Sequence, residues 1–139
     1  MKVFLDENLN ARTAKALSHS LRMHDFSSTT RVGLEGTDDE DLFGLLAADG
    51  FNLIITNDGD QLDIPTERAR LKASGLHWLG YHDDRPERGL PGHLQRLSVL
   101  LGGWSHADRL FAAAPCPLAV MLAAVGNTRR ARVEFQQPT

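Results

Sequence analysis

The chain is poor in cysteine, whose disulfides stabilise many small secreted proteins, and it has no long apolar run. Its only cysteine is Cys116, so it can form neither an internal disulfide nor a thiolate-rich zinc site. No stretch reaches the roughly 18 apolar residues of a membrane helix. The first apolar run, residues 3–5, gives way at once to Asp6, so we expect no secretory signal. We therefore expect a protein of a reducing, cytoplasmic compartment that does not enter a membrane.

The rest of the composition is that of an ordinary globular protein. Hydrophobic residues make up 42% and charged residues 24% of the chain, which excludes disorder as the default. A length of 139 residues suits one domain, and such a domain buries about two-thirds of the surface that its unfolded chain exposes. We expect a single domain over residues 1–139 that folds without a disulfide or a structural metal.

The net charge of −3 conceals a difference between the two halves of the chain. Residues 1–63 carry a net charge of −7, and residues 64–139 carry +4. An acidic half beside a basic half is typical of a cation site next to a polyanion-binding surface. Solvated helix faces produce the same pattern, so charge alone leaves both interpretations open.

Hydrophobic periodicity predicts alternating strands and helices. Apolar runs predict strands at residues 3–5, 26–30, 51–56 and 76–81. Helical spacing predicts helices at residues 9–22 and 65–74, and a third opened by a capping box of Thr37 and Glu40 and closed at Gly50. This alternating order predicts an α/β fold with a mainly parallel central sheet flanked by helices.

The last third of the chain has a weaker pattern. Residues 91–113 are predicted to form a helix that is broken near Gly102 and Gly103. Residues 118–125 form either a strand or a helix, because so short an apolar run fits both. Residues 132–135 alternate in polarity and predict a final strand.

Acidic residues follow two of the predicted strands and open one helix. Asp6 and Glu7 follow the first strand, Asp58 and Asp60 follow the third, and residues 38–41 are all acidic. Ligands of open parallel sheets bind beyond the carboxyl ends of the strands, so three segments can converge there. Clustered carboxylates repel one another and need a cation, and oxygen ligands favour Mg²⁺ or Mn²⁺. Such a metal activates water for attack on a phosphoryl group.

Each acidic group also has a local explanation. Capping and the helix dipole account for acids at residues 38–41, and turn preference accounts for Asp58 and Asp60. Asp6 and Glu7 gain least from local structure, because they directly follow a buried run. The coincidence of all three groups favours a metal site.

Three segments in this order resemble PIN-like domains: residues 2–9 (KVFLDENL), 31–40 (RVGLEGTDDE) and 54–58 (IITND). In particular they resemble the short VapC-type ribonuclease toxins of bacterial toxin–antitoxin pairs. Residues 64–69 and 74–76 resemble the segment after the third acid in one branch of those toxins. The resemblance covers about residues 1–81 and leaves residues 82–139 as an extension of helix and strand.

The resemblance implies a Mg²⁺- or Mn²⁺-dependent endoribonuclease with a PIN-like three-layer arrangement. It implies three catalytic metal ligands, three further candidate ligands beside them and one residue that positions the water or a ligand. The three catalytic metal ligands are Asp6, Asp39 and Asp58. The three further candidate ligands are Glu7, Glu40 and Asp60, and Thr56 is the residue that positions the water or a ligand. It also implies an RNA substrate, a homodimer and a cognate antitoxin that blocks the site.

Basic residues supply candidate RNA contacts, although arginines at such positions are commonly solvated surface charges. The candidates are Arg68, Arg129 and Arg130. The six histidines form no pair with zinc-binding spacing, so we assign them no metal role. Trp78 and Trp104 are expected to anchor the core.

Three other functions fit part of the pattern. A receiver-type signalling module also has acids after strands one and three, but it needs a lysine at the end of a late strand, where this chain has none. A toprim-like domain would use Glu7 with Asp58 and Asp60 and would leave the acidic helix start without a role. A degenerate PIN-like protein would bind a partner without catalysis.

Overall fold

The computed structural model describes residues 1–6, 9, 11–28, 39–81, 89–122 and 131–136, and the side chains in these ranges other than those of 39–41, 89–91 and 131–136. The described residues form strands, α-helices and one 3-10 helix. In chain order they are β1 (Lys2–Leu5), α1 (Ala11–Ser20), β2 (Asp25–Ser28), α2 (Asp39–Ala48), β3 (Leu53–Thr56), the 3-10 helix (Gly59–Asp63), α3 (Pro65–Ser74), β4 (His77–Tyr81), α4 (Gly89–Ala113), β5 (Leu118–Leu122) and β6 (Ala131–Gln136).

The strands form one sheet in the order β2-β1-β3-β4-β5-β6. Every neighbouring pair from β2 to β5 is parallel, and β6 runs antiparallel at the edge. The predicted mainly parallel α/β fold is thus confirmed. The chain places β2 on one side of β1 and then crosses to place β3 on the other side. In such folds this reversal opens a ligand-binding crevice beyond the carboxyl ends of the two strands, here β1 and β3.

Side chains alternate along each strand and divide the interior into two apolar cores. Val3, Leu5 and Ile55 belong to the core under α1 and α4, whereas Phe4 and Ile54 belong to the core under α2 and α3. All five side chains are fully buried, and burying each contributes about 1.5–3 kcal/mol before the entropy cost. The result is the predicted three-layer arrangement, a sheet between two layers of helices.

Helix α2 ends in a Schellman motif that turns the chain towards β3. Gly50 has a φ of 84°, and its N–H donates to the carbonyl of Ala47 at 3.1 Å. The N–H of Phe51 donates to the carbonyl of Leu46 at 3.0 Å, and both side chains are buried in the same core. The predicted helix end at Gly50 is therefore confirmed, as are the start of α3 at Pro65 and its end before Gly75.

The predicted break in the C-terminal helix is wrong, because α4 continues through Gly102 and Gly103. A glycine costs a helix only about 1 kcal/mol relative to alanine, and the packing of α4 outweighs that cost. A Cβ added at Gly103 would lie 2.6 Å from a methyl group of Leu122 on β5. Gly103 therefore lets the helix approach the sheet, whereas a Cβ added at Gly102 would have nothing within 4 Å.

Other predicted elements differ at their ends or in kind. The first helix occupies Ala11–Ser20 within the predicted residues 9–22, and the ambiguous run after residue 117 is a strand. The segment after β3, predicted as a loop, winds into the 3-10 helix. The predicted cap at Thr37 and the loop at residues 33–36 lie outside the described residues. Trp78 and Trp104 are buried, as predicted.

Candidate metal centre

Asp6 lies at the carboxyl end of β1, which has a parallel strand on either side. Leu5 pairs with Ser28 of β2 and with Ile55 of β3. The N–H of Asp6 donates to the carbonyl of Ile55 at 3.0 Å, and the carbonyl of Asp6 accepts from the N–H of Leu9 at 2.8 Å. Only 8% of Asp6 is exposed. Its backbone is therefore fixed, and strand alternation puts its side chain on the face of the sheet that α2 and α3 cover.

Thr56, the last residue of β3, joins the two strand ends. Its hydroxyl donates to Oδ2 of Asp6 at 2.9 Å. The hydroxyl oxygen of Thr56 also accepts a hydrogen bond from the backbone N–H of Asp58 at 3.0 Å. Because one atom of the fully buried Thr56 contacts both partners, the carboxylate of Asp6 and the backbone of Asp58 lie together at the crevice between β1 and β3.

Asp58 precedes the 3-10 helix, but its carboxylate does not cap it. The residue occupies the N-cap position without a side-chain hydrogen bond to the helix, and it is exposed. Its carbonyl accepts from the N–H of Gln61 at 3.2 Å, which closes the first turn. A side-chain cap therefore does not explain the acid at this position, and the residue is exposed next to the end of β3.

Gln61, which sequence reasoning missed, ties the segment carrying Asp58 to β4. The indole N–H of Trp78 donates to Oε1 of Gln61 at 3.1 Å, and both side chains are buried. The Trp78 ring lies over Gly80, where an added Cβ would collide with it. A glutamine in a polar segment carries no periodic signal, so its burial could not be inferred from local sequence.

The first turn of α2 lies at the same edge and face. The C-terminal end of α2 leads into Asn52, whose N–H donates to the carbonyl of Lys2 at the amino edge of the sheet. The helix is about 15 Å long, so its start at Asp39 lies towards the carboxyl edge. The side chains of Asp39 and Glu40, and the whole of Glu7, lie outside the described part of the chain.

The described side chains include two carboxylates of the candidate metal site, those of Asp6 and Asp58. Among the described side chains, no group of three His, Cys, Asp or Glu residues lies close enough to hold a metal ion. Asp6 and Asp58 nevertheless suit a hard cation, because Mg²⁺ is commonly bound by one or two carboxylates together with waters and substrate phosphates. Asp60 is exposed in the first turn of the 3-10 helix, two residues beyond Asp58. The donor set does not distinguish Mg²⁺ from Mn²⁺.

The predicted RNA-binding arginines lie in different parts of the chain. Arg68 is half-buried on α3 and already interacts with another residue of the protein. Arg129 and Arg130 lie outside the described residues.

An α/β sheet with carboxylates at its strand-order reversal defines the class of fold and site. The family model of the PIN-like domain matches residues 1–81, more than half of the chain. The chain therefore belongs to the PIN-like domain family. The matched segment runs from β1 to β4 and includes Asp6, Thr56 and Asp58. No curated protein and no solved structure matches the chain. No helix in its described part is long and apolar enough to cross a membrane.

Proposed function

We propose that this protein is a Mg²⁺- or Mn²⁺-dependent endoribonuclease and the toxin of a toxin–antitoxin pair. PIN-like domains are commonly nucleases. The observation that carries the proposal is the arrangement of Asp6, Thr56 and Asp58 at the crevice between β1 and β3. A binding module without catalysis would not need a mostly buried carboxylate whose threonine partner also holds the backbone of a second acid.

Each of these residues has a distinct part in the proposed reaction. Asp6 is a fixed, mostly buried ligand, and the hydroxyl of Thr56 sets the orientation of its carboxylate. Asp58 is exposed and meets the substrate side of the centre. Asp39 and Glu40 are the proposed sources of a further acid from the first turn of α2. A bound Mg²⁺ or Mn²⁺ supplies activation of water and neutralisation of charge on the phosphodiester.

The carboxyl edge of the sheet also suits a polyanion. Helices α1, α2, α3 and α4 each connect parallel strands and start at this edge. Their N-termini carry partial positive charge and free N–H groups, which favour phosphate. An RNA strand laid across this edge would place a phosphodiester beside Asp6 and Asp58.

The toxin assignment carries further expectations, all of which derive from the resemblance to VapC-type toxins. The partner is a cognate antitoxin whose binding keeps RNA out of the site, and the enzyme acts in the cytoplasm as a homodimer. We expect the protein encoded beside this gene to inhibit RNA cleavage when mixed with the purified enzyme. Uninhibited cleavage in its presence would remove that protein as the antitoxin.

The first test is calorimetric titration of Mn²⁺ into the wild type and two matched variants. Asp58→Asn removes one proposed ligand with little change in shape. Asp25→Asn makes the same change at an exposed residue that begins β2 at the opposite edge of the sheet. We expect the heat of binding to vanish in Asp58→Asn and to persist in Asp25→Asn. Equal binding in all three would place the metal elsewhere.

The second test is cleavage of a 5′-labelled RNA in the presence of Mn²⁺. The wild type and Asp25→Asn are expected to cleave, and the double variant Asp6→Asn, Asp58→Asn is expected to be inactive. Undiminished cleavage by the double variant would overturn the proposed site. Mn²⁺ binding without cleavage of any RNA would instead identify a non-catalytic PIN-like binding module.

A further inference from the structure

An open, basic groove runs along α1 beside the start of α4, on the opposite face of the sheet from the candidate metal centre. It has a volume of about 780 Å³. Four of the residues that line it follow one another at helical spacing on one stripe of α1 and the turn after it, and all four are exposed. They are Arg12, Lys15, His19 and Arg22.

A buried histidine of α4 also lines this groove. His93 is only 7% exposed, and its Nδ1 has no hydrogen-bond partner in the described part of the protein. The pKa of His93 is held below its ordinary value by burial and then by the positive charges of Arg12 and Arg96. The positive charges that line the groove therefore act on His93, whose Nδ1 has no hydrogen-bond partner among the described residues.

The acids of the described residues do not neutralise the cations of the groove. No acid of the described residues lies within salt-bridge distance of Arg12, Lys15 or Arg22, and no acid lines the groove. Elsewhere on the described surface, Lys2 pairs with Asp49. A row of unpaired cations at one helix face favours binding of an anion with a repeating charge.

The groove starts at the edge of the sheet where the metal centre lies. Helices α1 and α4 both begin at the carboxyl edge and run side by side, since His24, just after α1, makes a T-shaped contact with Trp104 with ring centroids 5.1 Å apart. The Arg12 end of the groove is therefore at the carboxyl edge, and the Arg22 end is about 15 Å away. A single nucleic-acid strand carries one negative charge per nucleotide, so this length can meet more than one phosphate.

We propose that the α1 groove binds the phosphate backbone of single-stranded RNA without regard to base sequence. The described residues that line it include no Phe, Tyr or Trp on which bases could stack, which favours recognition of the backbone alone. Protein partners are disfavoured, because interface centres are depleted of charge and rely on aromatic anchors. The proposal that the groove binds RNA depends only on these observations. The further proposal that the groove guides the substrate to the metal centre rests on the proposed function.

The test is fluorescence anisotropy of a 5′-labelled 12-nucleotide oligouridine, titrated at several salt concentrations in EDTA so that metal-dependent cleavage cannot occur. Lys15→Gln with Arg22→Gln removes two charges from the groove, and both residues are exposed, so the fold is expected to persist. Lys72→Gln with Arg109→Gln makes the same charge change on α3 and near the end of α4. Circular dichroism confirms that both variants are folded.

We expect the groove variant to bind about tenfold more weakly at 0.1 M salt, with the slope of log K against log salt reduced by about 1.4, or about 0.7 for each phosphate that is no longer neutralised. The control variant is expected to match the wild type, and oligoadenosine to give the same result as oligouridine. Unchanged binding in the groove variant, or an equal loss in the control, would overturn the proposal. So would an oligoglutamate peptide that binds the groove more tightly than RNA, because the groove would then serve an acidic protein.

Cleavage is measured separately in Mn²⁺, so that failures of the two proposals are distinguishable. Groove-dependent RNA binding by a protein that cleaves no RNA would leave the groove standing and remove the proposed endoribonuclease. Normal cleavage by a protein whose RNA binding does not depend on the groove would do the reverse.

Discussion

Replacing Thr56 with valine tests the arrangement at the metal centre most directly. Valine has nearly the shape of threonine, so the fully buried site keeps its packing and loses only the hydroxyl. That hydroxyl makes two hydrogen bonds: it donates to Asp6 at 2.9 Å and accepts from the N–H of Asp58 at 3.0 Å. Thr56→Val therefore leaves a mostly buried carboxylate without one donor and a backbone N–H without its acceptor.

The expected loss of stability follows from the bond to Asp6. A hydrogen bond to a charged group contributes about 1.5–3 kcal/mol, and the N–H of Asp58 adds less because it is only partly buried. We expect the free energy of unfolding to fall by about 2–3 kcal/mol. For a chain of this size that lowers Tm by roughly 10 °C. Residues that orient a metal ligand typically change metal affinity about 10- to 100-fold, so Mn²⁺ binding is expected to weaken by that factor.

Urea denaturation and calorimetric titration of Mn²⁺ measure the two effects, and Thr56→Ser separates the hydroxyl from the methyl group. Serine keeps the hydroxyl and removes one methyl group, which costs about 1 kcal/mol of stability. Its Mn²⁺ affinity is expected to stay near that of the wild type. If Thr56→Val matches the wild type in both stability and Mn²⁺ affinity, the hydroxyl does not organise the centre and our reasoning is refuted.

Three further predictions concern packing and pH. Gly103→Ala is expected to lower stability in urea by about 1–3 kcal/mol through its contact with β5, whereas Gly102→Ala is expected to raise it by about 0.5–1 kcal/mol; equal effects would contradict the close helix–strand approach. Gln61→Met leaves the indole N–H of Trp78 buried without an acceptor and is expected to cost about 1–3 kcal/mol; undiminished stability would show that this bond is dispensable. Burial lowers the pKa of His77 below 6.5, so the unfolded chain takes up the proton first. The stabilising contribution of neutral His77 to the free energy of unfolding is therefore fully present above about pH 6.5. It is lost as the pH falls through the lower pKa that His77 has in the folded state. His77→Gln is expected to reduce the loss of unfolding free energy between about pH 7.5 and pH 5, and an unchanged pH profile would contradict it.

Most of the fold could be predicted from the sequence, because strands and helix ends are marked by patterns within a few neighbouring residues. Buried strands such as residues 53–56 are short apolar runs, and helix ends such as Gly50 and Pro65 follow from backbone preferences. The predicted helix break at Gly102 and Gly103 was wrong because a contact between distant segments determines the structure there. A glycine pair weakens an isolated helix, but the close approach of α4 to β5 decides the outcome, and that contact joins distant segments.

The candidate site was predicted in part for the same reason. Asp6 and Asp58 could be found because each directly follows a strand, and parallel strands end at one edge. Thr56 was singled out only through the family resemblance, and its bridging hydrogen bonds require the pairing of β1 with β3. Gln61 was missed because its partner lies on β4. The basic stripe of α1 has a visible spacing, but its significance depends on the neighbouring α4.

The backbones of the two acids at the candidate metal centre, Asp6 and Asp58, are held by different numbers of hydrogen bonds. Asp6 extends a strand that has hydrogen-bonded neighbours on both sides. Asp58 lies beyond the last residue of β3 and is held by the hydroxyl of Thr56 and by a short 3-10 helix that Gln61 joins to Trp78. Segments held by few bonds open locally at a fraction of the global unfolding free energy. We therefore expect the amide of Asp58 to exchange with deuterium sooner than that of Asp6, and local opening to begin on the β3 side. An ion bound to both acids would slow exchange mainly at Asp58.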